Sequence, residues 1–241
     1  MAHAVIITGP GFQDQDVIYT YYRLREALFD VDIATKRNEA TGNGIHVTGR
    51  FGVPIPLDKT AGEPIAFCEL AAEGAVEKYD LVLLTGGYEA PDRVRQEHDV
   101  KDFLLAMDNA GKVIAGLCHG PWIMISAGIM RGRRACAYVG MRDDMVNAGA
   151  DVVDAAIVVD DNIVTCSYYG EMGAFMKTVI ALVKERAATG QGPSHEQPRA
   201  LPRRRVHMQR PRRALGRTKK LRRVAALVPS SLSLRGALKL R

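Results

Sequence analysis

Residues 4–187 alternate between short apolar runs and longer stretches with a helical period. Ala4–Thr8 (AVIIT), Leu81–Leu84 (LVLL) and Val113–Leu117 (VIAGL) are apolar without a polar alternation, the pattern of strands buried on both faces. The first runs into Gly9-Pro10-Gly11 and the second into Thr85-Gly86-Gly87, so each ends in a loop. Val31–Ala34 reads as a further strand, Ile45–Pro56 as a small hairpin containing Gly and Pro, and Ala156–Val159 and Ile163–Cys166 as two more short strands. Between them, Asp16–Leu28 places Val17, Tyr21, Leu24 and Leu28 on one helical face, with Asp16 near the N-cap. Pro64–Val76, Val100–Met107, Pro121–Ala127, Met141–Ala148 and Gly170–Arg186 complete the helical stretches. Doubly buried strands alternating with helices predict an α/β sandwich, a mostly parallel sheet with helices on both faces.

Charge divides the chain. Fifteen of its 33 Lys and Arg, but one of its 27 Asp and Glu, fall in 188–241, giving that segment +14 and residues 1–187 −8. The expected organisation is therefore a folded domain over 1–187 and a basic, disordered tail over 188–241. Three readings of the tail stand side by side: a polyanion-binding arm, a solvated or self-docking segment, and an accidental extension. It holds no aromatic residue on which bases could stack, and nucleic acid is a partner only through it. No apolar run reaches the roughly 18 residues of a membrane span, and Met1–Val5 shows no secretory signal, so the expectation is a cytoplasmic protein with reduced thiols. Cys68, Cys118, Cys136 and Cys166 form no CxxC pair or zinc pattern, and neither metal nor cofactor is expected.

One segment carries chemistry. In Val113–Trp122 (VIAGLCHGPW) a buried strand ends, a cysteine follows, and Gly-Pro opens a helix. Such a turn presents Cys118 at the carboxyl edge of the sheet, where open α/β folds bind ligands. The helix start beside the sulfur is expected to favour thiolate, the nucleophilic form. Paired glycines after a buried strand, Gly86-Gly87, let N–H groups approach a developing oxyanion. Each residue also has a plain structural reading. Cys118 reads as an inert core thiol, Asp16 as a cap, His119 as a solvated or core histidine and Tyr138 as core. Gly86-Gly87 reads as a turn, and Asp92-Arg93 as a surface ion pair.

Four ordered blocks, YTYYRLRE (19–26), GGYEAPDRVR (86–95), GLCHGPWIMISAGIMRGR (116–133) and YVGMRDDMVNAGADVVD (138–154), resemble the PfpI/ThiJ family of cysteine hydrolases. That family lies within the class I glutamine-amidotransferase-like superfamily and implies a flavodoxin-like fold. The resemblance places Cys118 on the nucleophile, His119 on the histidine after it, and Asp16 where a Glu usually bonds the sulfur. Gly87 and the His119 N–H fall on oxyanion-binding positions, and Tyr138 on a tyrosine near the site. Asp92 falls on a carboxylate that reaches a neighbouring subunit's histidine, which implies a homo-oligomer, a dimer or hexamer, with Asp92 near the interface. The chain departs from the pattern at Gln13, where a second Glu is common. It departs again at Glu89, an apparent insertion, and at Ser167-Tyr168-Tyr169 near the pocket mouth. A small-molecule substrate is implied, with glyoxalase III or deglycase chemistry on 2-oxoaldehydes as the leading expectation. Isonitrile hydration and peptide hydrolysis are the alternatives within the family, and a redox or stress sensor acting through Cys118 is the alternative of another class.

Overall fold

The computed structural model describes residues 1–36, 47–55 and 64–190. Its strands are β1 (His3–Ile7), β2 (Asp30–Thr35), β3 (Ile65–Ala66), β4 (Leu81–Leu84), β5 (Val113–Leu117), β6 (Arg134–Ala135), β7 (Asp151–Val152), β8 (Ile157–Asp160) and β9 (Ile163–Cys166). Its helices are α1 (Asp14–Glu26), α2 (Ala75–Lys78), α3 (Glu89–Val94), α4 (His98–Asn109), α5 (Pro121–Ser126), α6 (Arg142–Asn147) and α7 (Met172–Thr189).

Seven strands form one sheet in the order β3-β2-β1-β4-β5-β9-β8, and β6 pairs β7 separately. Every pair in the large sheet is parallel except β8 with β9. This is the expected mostly parallel, flavodoxin-like architecture. Alternation along each strand divides the core in two. Ala4, Ile6, Leu81, Leu83, Val113 and Ala115 pack with Val17, Tyr21 and Leu24 of α1 and with Phe175, Met176 and Val179 of α7. Val5, Ile7, Val82, Leu84 and Ile114 face the other way, onto Val100, Phe103, Leu104 and Met107 of α4 and Ile123 and Met124 of α5. Each such side chain contributes roughly 1.5–3 kcal/mol by leaving water, which is why the strands read as unbroken apolar runs. No described helix is long and apolar enough to cross a membrane.

Several boundaries differ from the sequence expectation. Helix α1 starts two residues early, with Gln13 as its N-cap, so Asp16 lies inside the first turn and does not cap it. Leu28 does not continue the apolar face; it ends the helix in the left-handed region at φ 66 and is 74% exposed. Pro64–Val76 is not one helix. Ile65-Ala66 pair with the β2 edge, Phe67–Ala71 form a 3-10 turn, and Gly74 at φ 82 separates these from α2. The hairpin is present over the described residues 47–55, bridged antiparallel at Thr48 and Pro54; residues 45, 46 and 56 lie outside them. The tail expectation begins at 188, but α7 runs to Thr189 with Gly190 as its left-handed C-cap, so 188–189 belong to the helix; 191–241 lie outside the described residues.

The chain leaves β1 outward through β2 and β3, then returns to add β4 and β5 on the other side. The strand order reverses between β1 and β4, a topological switch point that opens a crevice at the carboxyl edge. The loops after β1, β4 and β5 all meet there.

Candidate active site

Cys118 directly follows β5 with φ 57, a left-handed conformation that is strained for any residue bearing a Cβ. Its N–H donates to Cys166 O at 2.9 Å, and Gly120 N–H closes the turn onto Leu117 O at 2.8 Å. A Cβ at Gly120 would stand 2.4 Å from Leu84 O, so only glycine fits the turn. The turn breaks the strand alternation: Leu117 and Cys118 are consecutive yet both pack on the α1–α7 side. There the thiol is 6% exposed.

Asp16 reaches the same place from α1. It is fully buried, and its Oδ2 accepts the Gly86 N–H at 2.7 Å while Oδ1 has no hydrogen-bond partner. A Cβ at Gly86 would be 2.7 Å from Asp16 Oδ2 and 2.7 Å from Cys118 Cβ, so this glycine is clasped between acid and thiol. The expected carboxyl–sulfur hydrogen bond is absent. Asp is one methylene shorter than Glu, and the carboxyl turns to the Gly86 N–H instead.

Burial raises the Asp16 carboxyl to about 7, against the pull of the Gly86 N–H. Burial, reinforced by the Asp16 charge, pushes the Cys118 thiol up to about 12, although the N–H groups of His119 and Gly87 and the Arg50 guanidinium favour its ionised form. This runs against the expectation that the helix start, with the acid group across from it, lowers the thiol pKa. Helix α5 has only six residues and begins three positions after Cys118, and desolvation outweighs its dipole. Burial thus favours the protonated thiol. His119 Nδ1 lies 3.2 Å from Cys118 Sγ, and burial lowers the His119 pKa below its ordinary value. Desolvation thus favours the neutral imidazole, whose Nδ1 faces the sulfur. When Asp16 carries its own proton, its charge no longer opposes the thiolate.

The other expected residues separate into two groups. Gly87 belongs to the site: its N–H favours the ionised sulfur, and at φ 84 a Cβ there would meet Gln13 N at 2.8 Å and Gly11 O at 2.9 Å. Tyr138 belongs to it as well, its ring 4.7 Å from the His119 ring. Asp92 stands apart, exposed on α3. Its neighbour Arg93 pairs with Glu89 at 2.6 Å, so the simple Asp92–Arg93 pair is not formed. Glu89 lies at the first position of α3, not in the loop before it.

Two site features, Arg50 and Trp122, escaped the sequence reading, while Tyr168 lies where the sequence placed it. Arg50, on the hairpin, donates to Phe12 O through its backbone N–H at 2.9 Å and to Gln13 Oε1 through Nη1 at 3.4 Å. Trp122 lies against His119 with ring centroids 4.9 Å apart and donates to Asp144. Tyr168 stacks 6.4 Å from Tyr138 and is 43% exposed at the mouth. Gly49 and Gly52 around Arg50 marked a turn but not its proximity to Cys118. Cys166 is fully buried, its Sγ donating to Tyr168 O at 3.3 Å.

A strained thiol after β5, beside the switch point of a flavodoxin-like sheet, with a histidine and two N–H donors around it, makes this edge the candidate site of an α/β protein. The profile of the DJ-1/PfpI family matches residues 2–182. The chain is 37% identical over 180 residues to a deglycase of Pyrococcus abyssi, covering 75% of this chain and 98% of that protein. It is 36% identical over 180 residues to the deglycase PfpI of Pyrococcus furiosus, with coverage of 75% and 98%. A solved two-domain protein with DJ-1/ThiJ/PfpI-like and ferritin-like domains, from Anabaena variabilis, superposes with a TM-score of 0.65 at 26% identity. The match covers 83% of this chain and 52% of that one, so this chain spans about half its length. The chain belongs to the DJ-1/PfpI family.

Proposed function

We propose that this enzyme of the DJ-1/PfpI family acts on 2-oxoaldehydes or their early adducts, with Cys118 as nucleophile. The observation that carries the reading is the position of Cys118 Sγ, 3.2 Å from His119 Nδ1 and facing the N–H groups of Gly87 and His119. Nucleophile, proton acceptor and oxyanion donors meet at one atom. The sulfur adds to the aldehyde carbon, the carbonyl electron pair moves to oxygen, and the thiol proton passes through His119 to that oxygen, giving a hemithioacetal. A proton shift from C1 to C2, with the hydroxyl proton passing from the C1 oxygen to the C2 oxygen, converts it to a thioester of the 2-hydroxy acid. Water releases the acid and restores the thiol, so the net change is addition of one water.

Family relatives named deglycase support this reading. The low exposure of Cys118 and the aromatic wall of Trp122, Tyr138 and Tyr168 favour a small electrophile over a peptide. All four cysteines are free thiols, which suits a cytoplasmic setting. We further infer a homo-oligomer in which a neighbouring copy brings its exposed Asp92 toward His119.

Methylglyoxal turnover by the wild type and by Cys118→Ala tests the reading. The expected result is conversion to lactate by the wild type and loss of at least about 10³-fold in the variant. Equal rates for the two proteins, or no conversion by the wild type, would overturn it.

A further inference from the structure

Among the described residues Arg50 has no ion-pair partner, and its surroundings indicate a use for its charge. The hairpin that carries it is fixed. Asp14 accepts the N–H groups of Phe51 and Val53, both at 3.0 Å, and Gly11 N–H donates to Thr48 O at 3.0 Å. The guanidinium lies over the rings of Phe51 and Tyr88, 5.2 and 5.5 Å from their centroids. Its one polar side-chain contact is the Gln13 amide oxygen at 3.4 Å, and among the described residues no carboxylate pairs with it. Gln13 and Tyr88 flank Gly86-Gly87, the segment pressed against Cys118, and Gln13 N–H donates to Gly86 O at 3.2 Å. A delocalised cation thus lies near enough to Cys118 to favour its ionised form, held by aromatic faces and, among the described residues, without an ion pair. A planar fork of this kind binds carboxylates in two-point contact.

We propose that Arg50 is a substrate-binding residue that makes the Cys118 site selective for electrophiles carrying a carboxylate. The substrate class is then an acidic 2-oxoaldehyde, or the adduct of a 2-oxoaldehyde with a free amino acid, its carboxylate on Arg50 and its reacting carbon on the sulfur. The proposal deepens the reading above and rests on it for the reacting atom. A second consequence is that Gln13 matters by being neutral: a carboxylate at that position would pair with Arg50 and quench the selectivity.

Alkylation of Cys118 by iodoacetate and by iodoacetamide tests this, whether or not methylglyoxal is a substrate. In both reactions the thiolate forms an S–C bond and iodide leaves; the reagents differ in a carboxylate against an amide. Rates at each cysteine are read by mass spectrometry, with exposed Cys68 as the internal reference. The expected iodoacetate-to-iodoacetamide ratio at Cys118 is about ten-fold above that at Cys68, and it shrinks as salt is added. Arg50→Gln and Gln13→Glu both bring it toward the Cys68 value, and Arg50→Lys keeps part of it. Oxamate, but not oxamide, protects wild-type Cys118 from iodoacetamide. A wild-type ratio at Cys118 no higher than at Cys68, or one unmoved by both Arg50→Gln and Gln13→Glu, overturns the proposal. An unfolded variant reveals itself by alkylation at buried Cys136 and Cys166, and the wild-type ratio and oxamate protection then decide alone. A failed methylglyoxal assay with a high wild-type ratio rejects the proposed reaction but keeps Arg50 as the anion-selecting residue.

Discussion

At the residue scale, the site depends on atoms that are missing. Gly86 has no Cβ, and the position one would occupy lies 2.7 Å from both Asp16 Oδ2 and Cys118 Cβ. Gly86→Ala must push the acid and the thiol apart. The expected cost is about 1–3 kcal/mol of stability and a fall of about 10²-fold in kcat/KM, read by urea unfolding and by steady-state turnover. Asp16 gives a prediction with a definite sign. Its folded pKa is raised from 3.8 to about 7, so the folded state holds a proton that the unfolded state has lost. Stability therefore falls as pH rises from about 4 to 7 and stays lowered above that, by about 4 kcal/mol if the whole shift is realised. Asp16→Asn removes the titration and keeps an acceptor for the Gly86 N–H. Its urea midpoint is expected to gain on the wild type between pH 5 and pH 8. A gap that does not change with pH would show that Asp16 does not carry the shift.

At the element scale, the hairpin over 47–55 is positioned from outside itself. Its bridge at Thr48 and Pro54 is isolated, too little to hold a two-stranded turn in water. The Asp14 carboxylate, accepting two backbone N–H groups, ties it to the start of α1. Asp14→Ala leaves both donors unmet at a cost of about 1–3 kcal/mol. Amide exchange at Phe51 and Val53 is expected to accelerate well before exchange in β1 and β4; uniform acceleration through the sheet would contradict a local tie. The same comparison shows why some elements were legible and others were not. The runs at 4–8, 81–84 and 113–117 appeared in sequence because both faces of those strands are buried. Strands β6 and β7, two residues each, are too short to show a period. Helix α3, six residues with a Pro inside, carries no wide apolar stripe.

At the scale of the whole molecule, the edge of the sheet opposite Cys118 is closed by a buried polar network. Asp108 accepts from Arg133 at 2.9 Å and from Asn162 at 3.0 Å, Asn162 also donates to Lys112 O at 3.0 Å, and Arg186 pairs with Asp161. It joins α4, α7 and the β8–β9 turn to the start of β5. Removing one charge leaves the other buried, so Asp108→Ala is expected to cost about 3–5 kcal/mol. Turnover per folded molecule should persist, since the network lies at the far edge; a loss of turnover without a loss of stability would tie this edge to the chemistry. The proposed division at about residue 187 predicts that a chain lacking 191–241 keeps the unfolding midpoint and turnover of the full chain. Any retention on duplex DNA should disappear with the tail and weaken steeply with salt.

The sequence alone determined the layered α/β architecture, because burying both faces of a strand demands uninterrupted apolar runs that no neighbouring residue can supply. It also determined the cysteine at the turn, because strand, Cys and Gly-Pro follow one another along the chain. Only the tertiary structure decided the surroundings of the sulfur. Asp16, Arg50, Gly86 and Cys118 come from four separate segments brought together by strand order. Whether a carboxyl reaches a thiol, and whether either is charged, depends on about one methylene of reach and on how much water the packed core excludes.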